Sequence, residues 1–390
     1  MQNIERRIVI STTDPRNQGG VWGVTEALVK GLSRLGYRDI QLVYPSPRKS
    51  ITEVTSEDVL GYEGIAFPFK PAFGNPYFSH FASNYNLRRR LIQPGSINIA
   101  VGGGNQCAMP FLLANAKYYL WVSNTVDDEY HQLYLGRANK FDIKKIITYR
   151  LIRPTTRLIE RHIFEKSELT FVESMYSLNL IKDSYAIAPE KLAYLPFPID
   201  AKLSVTEPPI IPGKYALFVG RVDDLRKNVA LLIKAFSLID DPSLKLVLVG
   251  AVDEGGPAVQ LVAQLALSER VTFLGFVSNK DLNNILSYAH VFAMPSLQEG
   301  LGNAVVEALS HAVPVVATRC GGVEDSVHDG ENGFLVDIND AVAMADRIAR
   351  ICASPDLRDR LAQGARRHIT QIHSWDRFTD ILKRRLLEHF

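Results

Sequence analysis

The fold class is indicated most strongly by the stretch Ser296-Leu297-Gln298-Glu299-Gly300-Leu301-Gly302-Asn303-Ala304-Val305-Val306-Glu307-Ala308-Leu309. It follows an apolar strand predicted over 291–295, and it opens an apolar-faced helix that ends before a second apolar strand predicted over 313–317. A strand that turns through glycines into a helix leaves unpaired backbone N–H groups at the positive end of the helix dipole. The stretch therefore predicts a parallel α/β sheet with an anion site at its carboxyl edge.

Two glutamates frame this turn. Glu299 and Glu307 are eight residues apart, a separation of about 12 Å along a helix. The paired carboxylates of glycoside hydrolases lie roughly 5 to 9.5 Å apart. The spacing therefore argues against a glycoside hydrolase and indicates contacts with different parts of one long ligand.

A longer pattern around the turn resembles the donor-site signature of retaining GT-B glycosyltransferases of family four, the glycosyl transferases group 1. The pattern reads Pro295-Ser296-x-x-Glu299-Gly-x-Gly302-x-x-x-x-Glu307-Ala308, followed by Pro314-Val315-Val316-Ala317-x-x-x-Gly321-Gly322-x-Glu324. The resemblance implies an α/β fold of two Rossmann-like, doubly wound parallel-sheet domains that face one another across a cleft.

The resemblance also implies roles for the residues of the turn. Glu299 would contact the donor hexose, and Glu307 would bind the ribose hydroxyls of the nucleotide. The distal phosphate would be held by the backbone amides of Gly300, Leu301, Gly302 and Asn303. The residues alone leave another interpretation open, in which Glu299 is a capping residue and Glu307 lies on a solvated helix face.

A second element is Gly220-Arg221-x5-Lys227-Asn228, which follows an apolar strand that begins at Tyr215. A leaving diphosphate carries at least two negative charges, which fixed cations stabilise. The element resembles the Gly-Arg…Lys element of the family, which implies diphosphate binding by Arg221 and Lys227, with Arg226 as the alternative to the lysine. Val277 follows the next strand but one, where the family places the nucleobase against backbone groups.

The first half of the chain repeats the pattern of strand, turn and helix. A strand predicted over 7–11 leads through Gly19 and Gly20 into an apolar-faced helix, a geometry that suits phosphate. The pair resembles the N-terminal glycine loop of the family, which lies across the cleft from the donor phosphates. A flexible turn is the alternative interpretation.

Two further strand ends carry acceptor-side candidates. Gly103 follows a strand predicted over 97–101, and Ser123 and Asn124 follow a strand predicted over 118–122. Many members of the family carry a histidine at this second position, close to the sugar. This chain departs from that pattern, which indicates that Asn124, or the backbone around it, makes the sugar contact.

Two series of alternating strands and helices predict two domains in the 390 residues. A run rich in proline and glycine over 206–213 is the predicted linker, so the domains span 1–205 and 206–371. The resemblance implies that the first is the acceptor side and the second the donor side. The resemblance implies that a C-terminal helix over 372–390 crosses back onto the first domain.

The composition is that of a soluble globular protein, with 46% hydrophobic residues, 22% charged residues and a net charge of +2. That charge indicates no nucleic-acid partner. The three cysteines are far apart and show no metal-ligand spacing. We therefore expect a cytoplasmic protein without signal peptide, membrane span, metal or cofactor, whose co-substrate is a nucleotide diphosphate sugar.

Residues 137–166 form a basic amphipathic stretch, with nine basic and three acidic side chains among regularly spaced apolar ones. Such a stretch is typical of peripheral contact with an anionic membrane, here the inner face. An ordinary solvated helix face is the alternative interpretation.

The predicted activity is transfer of a hexose from a nucleotide diphosphate sugar to an acceptor hydroxyl, with retention of anomeric configuration and without a metal. The acceptor is expected to be a sugar, a lipid-linked molecule or another small molecule. Two alternatives stay open. One is a sugar-nucleotide epimerase of the same double-Rossmann shape, and the other is a non-catalytic nucleotide-sugar-binding module.

Overall fold

The computed structural model describes residues 6–16, 20–46, 54–68, 95–102, 104–128, 131, 143–202 and 207–387. The chain divides into two compact units. The first takes in Met1–Tyr134, Phe141–Pro198 and Trp375–Phe390, and the second takes in Ile199–Ser374.

The first unit is built on an eight-stranded sheet in the order β3-β4-β2-β1-β5-β6-β7-β8. The strands are β1 Ile8–Ser11, β2 Ile40–Ser46, β3 Thr55–Val59, β4 Tyr62–Pro68, β5 Ile97–Gly102, β6 Tyr119–Val122, β7 Thr170–Val172 and β8 Leu192–Tyr194. Neighbouring strands pair in parallel except β3, which pairs antiparallel with β4. The central strands are buried apolar runs, as parallel sheets require.

The hairpin of β3 and β4 lies at the edge of this sheet. Its turn falls at Leu60 and Gly61, both with positive φ. Most of β3 is exposed, so its sequence lacks the apolar run by which the buried strands are recognised.

The helices of the first unit are α1 Gly20–Arg34, α2 Met109–Leu113, α3 Ile143–Lys166, α4 Met175–Tyr185 and α11 Trp375–Leu382. Helix α11 packs its apolar face on α1 and on the sheet, with the ring of Phe378 centred 5.3 Å from that of Trp121. Gly31 of α1 allows this approach, because a Cβ there would lie 2.5 Å from the Phe378 ring. Burial of one such side chain stabilises a fold by roughly 1.5 to 3 kcal/mol.

The second unit is built on a six-stranded parallel sheet in the order β11-β10-β9-β12-β13-β14. The strands are β9 Tyr215–Val219, β10 Lys245–Val249, β11 Val271–Gly275, β12 Val291–Met294, β13 Val315–Thr318 and β14 Gly333–Val336, and the helices are α5 Val229–Ser237, α6 Pro257–Gln264, α7 Asn279–Tyr288, α8 Asn303–Ser310, α9 Ala341–Ala353 and α10 Pro355–Ile372. The prediction of two Rossmann-like parallel-sheet domains is confirmed.

Each sheet has a point where the chain order reverses, between β1 and β5 in the first unit and between β9 and β12 in the second. Loops that leave two such strands at their carboxyl ends diverge, which opens the crevice where α/β proteins bind ligands. Among the described helices, none is long and apolar enough to cross a membrane.

Candidate functional site

An ion pair occupies the strand-order reversal of the second unit. Lys227 lies on the loop after β9 and Glu299 on the loop after β12, and the lysine Nζ donates to the Glu299 Oε1 at 2.6 Å. The two side chains are only 21% and 12% exposed. The fold therefore brings together two predicted site residues from distant parts of the sequence.

Arg226 and Lys227, two candidate cations on the loop after β9, have different partners. The carboxylate of Asp224 accepts from the Arg226 N–H at 3.0 Å and pairs with the Arg226 guanidinium at 3.1 Å. Burial acts to raise the pKa of Asp224, but the hydrogen bonds and charge of Arg226, together with the charge of Arg221, lower it below its usual value. Arg226 is thus held by Asp224, while Lys227 reaches Glu299. Arg221 pairs with Asp224 at 2.7 Å, and its side chain is largely exposed.

The backbone of Glu299 is fixed against the loop after β13. Its N–H donates to the Cys320 carbonyl at 3.0 Å, and its carbonyl accepts from the Gly322 N–H at 2.9 Å. Only glycine fits at 322, since a Cβ there would lie 1.7 Å from the Gly300 carbonyl oxygen. These hydrogen bonds therefore join the loop after β12 to the loop after β13. The Glu299 carboxylate faces Lys227.

Three contacts in this site were not predicted. The buried Ser296 hydroxyl donates to Glu299 Oε1 at 2.6 Å, and the Thr318 hydroxyl donates to the Ser296 carbonyl at 2.5 Å. The Leu297 N–H donates to the Arg226 carbonyl at 2.7 Å and joins the loops after β9 and β12. Ser296 belongs to the quoted pattern, but its position there does not show which group it contacts. Nothing in the local sequence points to Thr318.

The turn into α8 has the expected glycine geometry. Gly302 has a φ of +80°, and α8 begins at Asn303. The first N–H groups of a helix have no intrahelical acceptor, so this end of α8 offers donors to an anion. The Leu301 side chain is buried, which leaves its backbone to take part.

Glu307 lies about one turn inside α8. Because the helix begins only at Asn303, the estimate of 12 Å from Glu299, which assumed continuous helix, does not apply. Burial raises the pKa of Glu307, and the charge of Lys202 opposes that shift. Burial, and then Lys202, lowers the pKa of the neighbouring His311 to about 4, which keeps this imidazole neutral.

The loop after β11 carries Val277, the predicted nucleobase contact, which is partly buried. Phe276 beside it is 85% exposed. Gly275 ends β11 with a φ of +65°. This exposed aromatic ring was not among the predicted site residues, because a phenylalanine beside a strand usually belongs to the core.

The structure describes some of the predicted site residues of the first unit. Gly20 is exposed at the start of α1, while Gly19 and Gly103 lie outside the described residues. Ser123 and Asn124 follow β6, as predicted. The Ser123 carbonyl accepts from the Ser177 hydroxyl at 2.6 Å, and the Asn124 amide donates to Asp128 Oδ2 at 3.1 Å.

The loop that follows Asn124 is tied to α3. Arg153 and Arg157 both pair with Asp127 at 2.8 Å, and Glu160 accepts from the Val126 N–H at 2.7 Å. Some basic side chains of the 137–166 stretch are therefore engaged inside the first unit. Residues 137–142 of that stretch lie outside the described part of the chain.

The described residues contain no group of three or more His, Cys, Asp or Glu side chains placed to hold a metal ion. Metal-independent activity stays a prediction.

Part of this chain, which includes this site, is similar to a known protein family. Residues 209–368 match the family model Glycosyl transferases group 1. The D-inositol 3-phosphate glycosyltransferase of Saccharomonospora viridis is 36% identical over 176 residues, which are 42% of this chain and 40% of that protein. The MMP alpha-(1->4)-mannosyltransferase of Mycolicibacterium hassiacum is 30% identical over 53% of this chain and 51% of that protein. The matched parts thus span about half of these relatives or less.

Two solved structures share the fold over nearly the whole chain. Sucrose-phosphate synthase from Thermosynechococcus elongatus has a TM-score of 0.79 and 20% identity, covering 99% of this chain and 100% of that one. HepE of Anabaena, solved with UDP-glucose, has a TM-score of 0.71 and 16% identity, covering 98% of this chain and 99% of that one. At these identities the likeness shows the fold alone. The chain therefore has the double Rossmann-like GT-B fold, and its residues 209–368 are similar to the glycosyl transferases group 1.

Proposed function

We propose that this protein transfers a hexose from a nucleotide diphosphate sugar to an acceptor hydroxyl, with retention of anomeric configuration. The observation that carries the proposal is the Lys227–Glu299 pair at the strand-order reversal of the second unit, 2.6 Å apart. A cation and a carboxylate held side by side suit a donor whose diphosphate and hexose are themselves adjacent.

The phosphate end of the donor would meet positive charge and N–H donors. Arg221 is largely exposed and able to grip two phosphate oxygens, while Lys227 acts as a point charge. The amides of Gly300 through Asn303 would hold the distal phosphate. Glu307 would bind the ribose hydroxyls, and the backbone at Val277 would meet the base.

In the transfer step, the bond between the anomeric carbon and the diphosphate oxygen breaks, and a bond to the acceptor oxygen forms on the same face. The acceptor proton passes to the leaving diphosphate. The protein then supplies positioning and charge stabilisation. Glu299 would orient the hexose and stabilise the positive charge that develops on its ring, and no metal would be needed.

The geometry around Glu299 disfavours the two alternative functions, a sugar-nucleotide epimerase and a non-catalytic binding module. An epimerase needs a carboxyl group that is free to reach a substrate proton, whereas Glu299 Oε1 accepts from both Lys227 and Ser296 at 2.6 Å, contacts that hold this oxygen in place. A binding module has no need of an ion pair at the point where hexose and diphosphate meet. The UDP-glucose complex of HepE adds support for a nucleotide-sugar donor.

The test is incubation with a panel of radiolabelled nucleotide sugars and cell extract. We expect a labelled product larger than the donor with at least one sugar nucleotide. Lys227→Met should abolish most of this product, and Lys234→Met, an exposed lysine on α5, should not. An epimerised donor would favour the epimerase, and tight binding with unchanged donor would favour the binding module.

We also propose that α3 contacts an anionic lipid surface. Ile147, Leu151 and Leu158 are 52%, 74% and 68% exposed, and their spacing of four and seven residues puts them on one helix face. The exposed Arg150 and Arg161 lie along one side of that face. Apolar side chains with basic ones beside them complement an anionic bilayer.

Co-sedimentation with lipid vesicles tests this surface. The protein should sediment with phosphatidylglycerol vesicles and not with phosphatidylcholine vesicles, and less so as salt is added. A double substitution of Leu151 and Leu158 by Glu should abolish sedimentation. Leu238→Glu, at a similarly exposed leucine of the second unit, serves as the control. Equal behaviour with both lipids would make this an ordinary solvated face.

A further inference from the structure

The two residues of the Lys227–Glu299 ion pair are carried by backbone that is fixed on both sides. The Lys227 N–H donates to the Asp224 carbonyl at 2.9 Å, and two hydrogen bonds tie the Glu299 backbone to the loop after β13. The Leu297 N–H donates to the Arg226 carbonyl at 2.7 Å and joins the two loops to each other. A ligand that binds at Lys227 therefore meets the Glu299 carboxylate beside it.

The Lys227 ammonium can bind a phosphate while it stays paired with Glu299. Its N–H donors point in tetrahedral directions. One of them faces Glu299 Oε1 at 2.6 Å, and the side chain is 21% exposed, so another donor can reach a ligand. A phosphate oxygen about 2.8 Å from Nζ would then lie roughly 4 to 5 Å from Glu299 Oε1.

This separation brings two negative charges close together. The Glu299 side chain is only 12% exposed, so little water screens its charge, and like charges repel most strongly where water is excluded. Any phosphate that binds at Lys227 is therefore held less tightly than the lysine alone would hold it.

The hexose of an intact sugar nucleotide offsets this repulsion. Lys227 and Ser296 both donate to Glu299 Oε1, and neither of these bonds uses Oε2. A hexose hydroxyl group can donate to Oε2, and such a bond to a charged acceptor is a strong one. The intact donor thus gains a contact with the same carboxylate that repels its phosphates.

The nucleoside diphosphate that is left after transfer has no hexose and gains no such contact. Its terminal phosphate also takes on a further negative charge near neutral pH. The repulsion by Glu299 is therefore larger for this product than for the intact donor.

We propose that Glu299 is a specificity-determining residue that discriminates against the released nucleoside diphosphate, lowers its affinity and so limits product inhibition. The inference rests on the proposed function, because it takes the ligand of Lys227 to be a nucleoside diphosphate. It gives Glu299 a part in product release in addition to its contact with the hexose.

Calorimetric titration in EDTA, without acceptor, tests the discrimination. UDP, ADP and GDP are compared with UDP-glucose, ADP-glucose and GDP-mannose. For the nucleotide that binds, Glu299→Gln should lower the Kd of the diphosphate by about tenfold, because a neighbouring like charge is removed. The Kd of the sugar nucleotide should stay within about threefold, since the loss of the hydroxyl contact offsets that gain.

Glu269→Gln is the matched control. Glu269 is exposed and lies just before β11, at the opposite edge of the same sheet, so this variant makes the same change in net charge far from Lys227. It should leave both Kd values within about twofold, because a distant exposed charge is screened by salt.

Glu299→Ala removes the same charge and should also tighten binding of the diphosphate, and thermal unfolding establishes that each variant is folded. Unchanged or weaker diphosphate binding in folded Glu299→Gln and Glu299→Ala would overturn the inference alone. Equal tightening of the diphosphate and its sugar nucleotide would also overturn it, because no discrimination would remain. Wild-type protein that binds neither kind of nucleotide would refute the proposed function as well.

Discussion

Ser296 Oγ donates a 2.6 Å hydrogen bond to Glu299 Oε1, the same oxygen that Lys227 Nζ contacts at 2.6 Å. One carboxylate oxygen therefore carries a hydroxyl and an ammonium donor, while hydrogen bonds to the loop after β13 hold the Glu299 backbone. This arrangement fixes the position of the Glu299 carboxylate.

Ser296→Ala should disturb Glu299 without removing it. A hydrogen bond of this kind contributes about 0.5 to 3 kcal/mol, so kcat/KM should fall by roughly 3-fold to 100-fold. In a Glu299→Ala background the same substitution should have almost no further effect, because its target is gone. Additive losses in the double mutant would show that Ser296 acts independently of Glu299.

Glu299 and Glu307 should differ in the kinetic parameter that each controls. Glu299 would contact the reacting sugar, where its contribution grows in the transition state, so Glu299→Ala should lower kcat by about 10² or more with little change in donor KM. Glu307 would hold the ribose equally before and during reaction. Glu307→Ala should therefore raise donor KM by about tenfold to a hundredfold while kcat falls much less.

Steady-state kinetics at varied donor concentration measures kcat and donor KM for Glu299→Ala and Glu307→Ala. Equal kcat defects with unaltered KM would mean that the two carboxylates act together on the chemical step.

Lys227 and Arg226 are neighbours in sequence but have different partners. Lys227→Met should raise the Kd for the preferred nucleoside diphosphate by roughly tenfold to a hundredfold, as expected for the loss of a charged hydrogen-bond partner. Arg226→Met should leave that Kd within about threefold but lower Tm, because Asp224 is then buried without its main partner. Calorimetric titration measures the Kd and thermal unfolding measures the Tm of both variants. A larger rise in Kd for Arg226→Met than for Lys227→Met would assign diphosphate binding to Arg226.

The two sheets could be predicted because their strands are buried on both faces and read as apolar runs, such as Val291–Met294 and Val315–Thr318. The edge hairpin could not, since β3 exposes most of its side chains. The start of α8 at Asn303 depends on the positive φ of Gly302, which a glycine permits but does not require.

Lys227 and Glu299 were named from the sequence, but their contact was not predicted. Lys227 and Glu299 are far apart in the chain, and they meet because β9 and β12 are neighbours in the sheet. The choice between Arg226 and Lys227 depends on Asp224, whose capping of the short turn Leu225–Lys227 appears only in three dimensions.

Glu173 follows β7 and is buried, and burial raises its pKa to about 7, which predicts a dependence of stability on pH. A carboxyl whose folded pKa is above its unfolded value stabilises the fold fully below that unfolded value, and the contribution is lost as pH rises through the folded pKa. For Glu173 the window runs from 4.5 to about 7, and the loss amounts to roughly 3 kcal/mol or less.

Urea unfolding at several pH values, on wild-type and Glu173→Gln protein, measures this difference. The variant should gain stability relative to the wild type as pH rises from 4.5 to 7. Glu190→Gln, at an exposed glutamate of the same unit, should follow the wild type. Parallel curves for wild type and Glu173→Gln would mean that Glu173 titrates with its ordinary pKa in the fold.

Proton NMR of the first-formed product, with excess EDTA in the reaction, tests retention and metal independence together. The proposed mechanism predicts a glycoside that keeps the anomeric configuration of the donor hexose, formed at the same rate with and without EDTA, because Arg221, Lys227 and the start of α8 supply the positive charge. An inverted anomeric signal would contradict retention. Product that forms only after magnesium or manganese is restored would contradict charge stabilisation by these residues alone.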